Sequence, residues 1–232
     1  MFTLRPAAER GHFDHGWLDT YHTFSFGDYR DSQHVQFRVL RVMNEDRVAP
    51  GQGFGMHPHA DMEIITYVLA GKLEHRDSLD NGAVITPGEV QVMSAGTGIM
   101  HSEFNPSADE PVHLYQVWIR PAERGASPRY DQRRFADELL HNQLQVVVSG
   151  DGRGDSLTIG QDAAMLVGRL DAGVEVDYEL AAGRHAWLQV ATGQLQCGAQ
   201  PLKAGDGLAI SDETQLKIAA TSRCELLLFD LP

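Results

Sequence analysis

The sequence predicts an all-β protein built from two related β-domains. Short apolar runs are cut by Gly, Pro and Asp at intervals of about ten residues, the punctuation of sandwiches and barrels. Long helical periodicity is scarce. The two halves also rhyme. Gly71 precedes Lys72-Leu73-Glu74 as Gly193 precedes Gln194-Leu195-Gln196, and Pro87-Gly88-Glu89 leads into Val90 as Ala204-Gly205-Asp206 leads into Leu208. This is a weak internal repeat of strand, glycine turn, strand and Gly-acid turn.

Taken in order, candidate strands fall at residues 36–43, 63–69, 90–94, 114–119, 145–148, 165–170, 186–191, 207–210 and 225–231. Ala70-Gly71 reads as a tight hairpin, and Thr86-Pro87-Gly88-Glu89 as a second turn. One helix is expected over 132–142, where Phe135, Leu139 and Leu140 share a face. It follows Pro121, Gly125 and Pro128, a stretch of loop composition, so the domains are expected at 1–130 and 131–232.

Composition supports a packed core and limits the partners. Of 232 residues 42% are hydrophobic, including 9 Phe, 6 Tyr and 3 Trp, enough apolar mass for a core that disorder is not the default. The 32 acidic and 19 basic residues give a net charge of -13, which disfavours nucleic acid and anionic membrane surfaces. No apolar run reaches the length of a membrane span, and residues 1–11 lack the apolar core of a secretory signal. Cys197 and Cys224 read as buried or free thiols of a reducing compartment. A cytoplasmic monomer is expected.

The chemistry concentrates in the first half, which holds nine of the eleven histidines before residue 114. The segment Gly51-Gln-Gly-Phe-Gly-Met-His57-Pro58-His59 places two imidazoles at i and i+2, on one face of an extended backbone. His101-Ser102-Glu103 repeats the spacing after the Ser94-Ala-Gly-Thr-Gly loop. Facing one another inside a barrel, these segments would offer three imidazoles and a carboxylate to one divalent first-row metal, with coordination positions left open. Glu63, four residues after His59, competes with Glu103 for the carboxylate role or serves as an outer hydrogen-bonding group. His75 and His113 read as hydrogen-bonded core histidines, while His12, His15, His22 and His34 lack ligand spacing. An aromatic substrate would need an apolar wall, for which Gly53, Phe54, Met56, Met93 and Phe104 are candidates by proximity in sequence. Gly51–Gly55 is no dinucleotide fingerprint, Ser149–Ser156 no phosphate-binding loop, and no serine stands in a Gly-x-Ser-x-Gly elbow.

These motifs resemble the cupin superfamily. Gly51, His57, His59, Glu63 and Gly71 follow its first motif with the last spacing one residue long. Gly88, Gly96, His101 and Asn105 follow its second, with Ser94 in place of the usual Pro and two extra residues before the histidine. Within that superfamily the sequence is similar to pirin and the bacterial pirin-like proteins. The similarity includes Thr23-Phe-Ser-Phe26, the 57–63 and 94–103 segments and Leu114-Tyr-Gln-Val-Trp118, and it continues more weakly to Leu231. The resemblance implies a bicupin of two antiparallel β-sandwich or jelly-roll barrels with few short helices, and with metal in the N-terminal barrel alone. It implies His57, His59, His101 and Glu103 as metal ligands and demotes Glu63. It also implies a quercetin 2,3-dioxygenase activity that opens a flavonol with O2 and releases carbon monoxide, Glu103 doubling as base. Fe(II) is the expected metal, with Mn, Co, Ni, Cu or Zn as alternatives. The alternative that the family suggests is a metal-dependent, redox-sensing regulator that binds a protein partner.

Overall fold

Antiparallel pairing of short strands organises the whole chain. The computed structural model describes all 232 residues, Met1–Pro232, with no cis peptide bond. It divides into two units. The first comprises Gly11–Phe135 and Ile159–Gln161; the second comprises Met1–Arg10, Ala136–Thr158 and Asp162–Pro232.

Each unit contains a seven-stranded and a four-stranded sheet. In the first, the large sheet runs Arg129–Arg134, Glu89–Ser94, Glu63–Ala70, Val112–Ile119, Leu40–Val48, Leu18–His22, Gly11–Asp14. Its small sheet runs Gly53–His59, Ile99–Phe104, Leu73–Asp77, Gly82–Ile85. In the second, the large sheet runs Phe2–Arg5, Gly207–Ile210, His185–Thr192, Cys224–Leu231, Ala164–Leu170, Gln145–Ser149, Leu157–Thr158. Its small sheet runs Glu175–Glu179, Gln215–Ala220, Gln194–Cys197, Gln200–Lys203. The two strand orders correspond position by position, so the rhyme read in the sequence has a topological counterpart.

Four details depart from the sequence reading. The first ten residues, expected with 1–130, belong to the second unit: Phe2 pairs with Ile210 and Leu4 with Leu208. They supply the edge strand that Arg129–Arg134 supplies in the first unit. The helix expected over 132–142 is a single turn, Asp137–Leu140. Residues 129–134 are instead a strand in register with Glu89–Ser94, because a six-residue ladder outcompetes the costly nucleus of a short helix. The strand expected at 36–43 begins only at Leu40, since Phe37 and Leu40 exchange backbone hydrogen bonds of 2.9 Å around Arg38 at φ +54. It then runs through the polar stretch Asn44–Arg47 to Val48. Finally, Ala70-Gly71 closes no hairpin. It carries the chain from the large sheet to the small one, with Gly71 at φ +77. A Cβ there would lie 2.5 Å from the Pro111 carbonyl oxygen.

The two cores differ. The second unit has one apolar cluster drawn from both sheets, including Leu166, Leu188, Leu208, Leu216, Ile218 and Leu226. Cys197 and Cys224 are unpaired within it, and burial pushes both thiols up to about 11, which keeps them protonated at neutral pH. In the first unit, one apolar cluster gathers around Leu18, Val48, Val68, Leu73 and Leu114 and another around Ile64, Met93, Ala95 and Ile99. A row of polar side chains crosses the large sheet between them. His22 stands opposite Asn44, Asn44 opposite Gln116, Gln116 opposite Thr66 and Thr66 opposite Gln91.

The Phe2–Arg5 strand makes a direct prediction. Ser211 donates its amide to the Met1 carbonyl at 3.0 Å, and alternation puts Ala209 in the same phase. Deleting residues 1–10 should speed hydrogen exchange at Ala209 and Ser211 and cost on the order of 2 kcal/mol of stability in thermal unfolding. Unchanged protection of those two amides would contradict this edge pairing.

Candidate metal centre

Two strands of the first unit's small sheet bring the paired motifs together. Gly53–His59 and Ile99–Phe104 are antiparallel, with His101 directly opposite His57. One ligand nitrogen from each of His57, His59 and His101 lies within 4.8 Å of the others. Their ring centroids are separated by 4.4 to 4.9 Å.

The register slips between His101 and Glu103. Glu103 faces Phe54, so Gly55 and Met56 together oppose Ser102. Such a bulge inserts one residue and reverses the alternation beyond it. Phe54, an odd three residues before His57, therefore reaches the same cavity as His57 and His59. Gly53 permits the close approach: a Cβ there would lie 2.2 Å from the Glu103 carbonyl oxygen.

Hydrogen bonds leave a bare nitrogen on two of the three imidazoles. His57 Nδ1–H donates to the Gly55 carbonyl at 2.7 Å, which leaves Nε2 as the lone-pair nitrogen. On the other side, His75 Nε2 lies 3.1 Å from Asp77 Oδ2. A proton given to that carboxylate makes His75 Nδ1 an acceptor, and His101 Nδ1 lies 3.4 Å from it, with the Gln91 amide nitrogen at 3.3 Å. Tyr130 stacks on the His75 ring at 4.6 Å and fixes its plane. His101 Nε2 is then a buried atom with no hydrogen-bond partner. Burial pushes His59 down to about 4, with the neighbouring His57 acting in the same direction. Burial, then His57 and His59, also hold His101 well below the ordinary histidine value. Neutral imidazole is the metal-binding form.

Glu103 is buried and lines the same cavity as His57 and His59. Gln116 Nε2 donates to Oε2 at 2.6 Å and Thr66 Oγ1 to Oε1 at 3.4 Å. Burial still pushes its carboxyl up to about 7 against both hydrogen bonds. Its oxygens group with His75 and His101. Asp46 faces the same space, accepts a hydrogen bond from the Thr20 hydroxyl, and is raised to about 7 by burial and secondarily by Glu103 and Glu45.

The cavity has a volume of about 250 Å³. Phe26, Phe54, Leu18 and Trp118 form its apolar side, and Trp118 meets His59 edge-on at 4.8 Å. Thr20, His22, Asn44 and Gln116 form its polar side. His22 Nδ1 and Asn44 Oδ1 are, like His101 Nε2, buried without partners. No Lys or Arg lines the cavity to balance its two carboxylates. Bare imidazole nitrogens, unpartnered polar atoms and uncompensated carboxylates fit one divalent first-row cation with open positions.

Several candidates sit elsewhere than expected. Met56 points outward on the bulge and is 54% exposed. Phe104 is the next residue after Glu103, so alternation turns it to the outer face, 36% exposed. Met93 is inward but packs one layer below, with Ile64, Ala95 and Ile99. Of the proposed wall residues, Phe54 alone lines the cavity. Glu63 accepts a 2.5 Å hydrogen bond from the Ser94 hydroxyl, away from the imidazoles. His113 is bound to Glu45, and His12, His34 and His141 to Asp19, Asp31 and Asp171. The polar wall, Thr20, His22, Asn44, Asp46 and Gln116, escaped the sequence reading together with Phe26 and Trp118. The available signal was their alternation: 20 and 22, 44 and 46, 116 and 118 are i, i+2 pairs, each on one face of its strand.

Comparison with known proteins places this geometry in context. The pirin family profile matches residues 3–119, and the profile described as quercetinase C-terminal cupin domain matches residues 146–231. A protein of Escherichia coli strain K12 named quercetin 2,3-dioxygenase is 50% identical over 232 residues, covering 100% of this chain and 99% of its own. A Pasteurella multocida protein named putative quercetin 2,3-dioxygenase is 44% identical over 235 residues, covering 100% of both chains. The crystal structure of the bacterial pirin YhhW from Escherichia coli in complex with nickel(II) superposes with a TM-score of 0.96 at 50% identity, covering 100% of this chain and 99% of that one. The chain belongs to the pirin family, and its two units are the paired cupin barrels of that family.

Proposed function

We propose that this protein is a metal-dependent dioxygenase that opens the heterocycle of quercetin-like flavonols with O2 and releases carbon monoxide. The observation that carries the reading is the set of three imidazoles within 4.8 Å, backed by buried Glu103 and opening on an aromatic-walled cavity. Relatives named quercetin 2,3-dioxygenase and a nickel-bound pirin support it. His57, His59, His101 and Glu103 are the proposed ligands of one divalent metal, Fe(II) first among the candidates. When bound, the metal supplies Lewis-acid polarisation of the substrate hydroxyl.

The protein groups do the rest. Phe54, Phe26 and Trp118 receive the flat ring, and Trp17 braces Phe54 edge-on at 5.3 Å. Glu103 takes the hydroxyl proton, and the Gln116 amide holds that carboxylate in place at 2.6 Å. Asp46 offers a second carboxylate to the same space. The partners are a small aromatic molecule and O2, and the net charge of -13 supports a monomer without nucleic-acid or anionic-membrane contacts; a cytoplasmic location belongs to the same reading.

Ligation is tested apart from turnover. Glu103→Ala should weaken metal binding by at least about 10-fold, more than loss of a group that merely supports a ligand, while Glu63→Ala keeps its metal, read as metal content after dialysis. The reverse pattern would assign the carboxylate role to Glu63. Turnover is tested by anaerobic reloading with Fe(II), Mn(II), Co(II), Ni(II) or Cu(II), followed by quercetin and O2. Loss of flavonol absorbance with carbon monoxide release, dependent on metal and abolished in Glu103→Ala, is the expected result. Tight metal binding with no turnover on any metal would contradict the dioxygenase.

A further inference from the structure

A second cavity, of about 680 Å³, borders the metal cavity through Phe26 and Trp118, which line both. The two rings meet edge-on at 5.3 Å. The outer wall comes from the long connection between Leu18–His22 and Leu40–Val48, which has no strand or helix of its own. Connections of that length inside a compact domain usually serve a function. Val42, Met62 and the two aromatic rings make the surface apolar.

The charge on this cavity is unbalanced. Arg30 and Arg41 line it. Burial holds the Arg41 guanidinium below its ordinary value, and the charges of Arg120 and Arg30 push the same way, which places three guanidinium groups in one neighbourhood. Arg41 Nη1 donates to the carbonyls of Ser25 at 2.7 Å and Val35 at 3.1 Å, so Nε and Nη2 find no protein acceptor. Arg30 Nη1 donates to the carbonyls of Gly27 and Tyr29. None of the three is paired with a carboxylate, whereas Arg47, Arg76, Arg153, Arg169 and Arg184 all are. In a chain of net charge -13, neighbouring arginines without a carboxylate ion pair are conspicuous. The one acid on the lining, Asp31, is held by His34 Nδ1 at 2.8 Å, the Tyr29 hydroxyl at 3.1 Å and the Gln33 amide at 2.9 Å.

We infer that this cavity binds a small aromatic anion, with its acid group on Arg41 and Arg30 and its ring against Phe26 and Trp118. Guanidinium matches carboxylate and sulfonate oxygens in charge and geometry, and a flat apolar body suits the aromatic surface below it. The site needs no metal ligand and stands independently of the dioxygenase reading. Its occupant would nevertheless touch the two side chains that wall the metal cavity.

The test uses zinc-loaded, diamagnetic protein and follows the Trp118 indole N–H by NMR. That group donates to Gln116 Oε1 at 3.2 Å, and the signals of Trp17 and Trp187 report on folding in the two units. The probes are naphthalene-2-sulfonate and its neutral isostere, 2-(methylsulfonyl)naphthalene. The sulfonate should shift the Trp118 signal saturably and bind at least about tenfold more tightly than the sulfone. Arg41→Gln, and independently the exposed Arg30→Gln, should remove most of that preference and leave sulfone binding unchanged. Equal affinity for the two probes overturns the proposal. So does a sulfonate preference that survives both folded variants, which would mean that the probe sits on the zinc.

Discussion

A buried polar layer divides the core of the first unit, and the arrangement of the site follows from it. His22, Asn44, Gln116, Thr66 and Gln91 stand in register across the large sheet, between two apolar clusters. Each buried polar group left unmatched costs about 1–3 kcal/mol, so such a layer persists only with partners or a function. Part of the layer finds partners on the small sheet. Gln116 and Thr66 hold Glu103, and Gln91 approaches His75. His22 Nδ1, Asn44 Oδ1 and Gln91 Oε1 of the layer, and His101 Nε2 on the small sheet facing it, stay without partners.

The second unit repeats the strand order without the layer. Its small sheet presents Leu216, Ile218 and Leu195 to a continuous apolar cluster, where the first unit presents histidines. The same topology therefore supports two energetic solutions. One is filled by dispersion and apolar burial; the other sacrifices part of that burial for a polar interior. Stability and chemistry are divided between the two barrels.

The parts legible in the sequence were those with a local signature. Apolar strands such as 63–69, 207–210 and 225–231 appear within a residue or so of the observed Glu63–Ala70, Gly207–Ile210 and Cys224–Leu231. His57, His59 and His101 were readable because i, i+2 spacing fixes the face of an extended segment, and they converge as that spacing suggests. Three things resisted. The strand Leu40–Val48 contains Asn44, Glu45, Asp46 and Arg47, and a rule that turns polar residues outward hides the inward face that Asn44 and Asp46 build. The bulge at Gly55-Met56 depends on pairing with another strand, so the inward turn of Phe54 and the outward turn of Met56 carry no local mark. The docking of Phe2–Arg5 onto Gly207–Ile210 joins segments about two hundred residues apart, a pairing that period-2 patterning cannot specify.

The most direct measurement is X-ray absorption at the zinc edge of zinc-loaded protein. The account predicts multiple scattering from three imidazoles with nitrogen at about 2.0–2.1 Å, together with oxygen and without sulfur. It also predicts that His101→Ala lowers the imidazole contribution by one ring. A sulfur scatterer at about 2.3 Å, or an imidazole count indifferent to the loss of His101, would contradict a cation held at the junction of the two histidine strands.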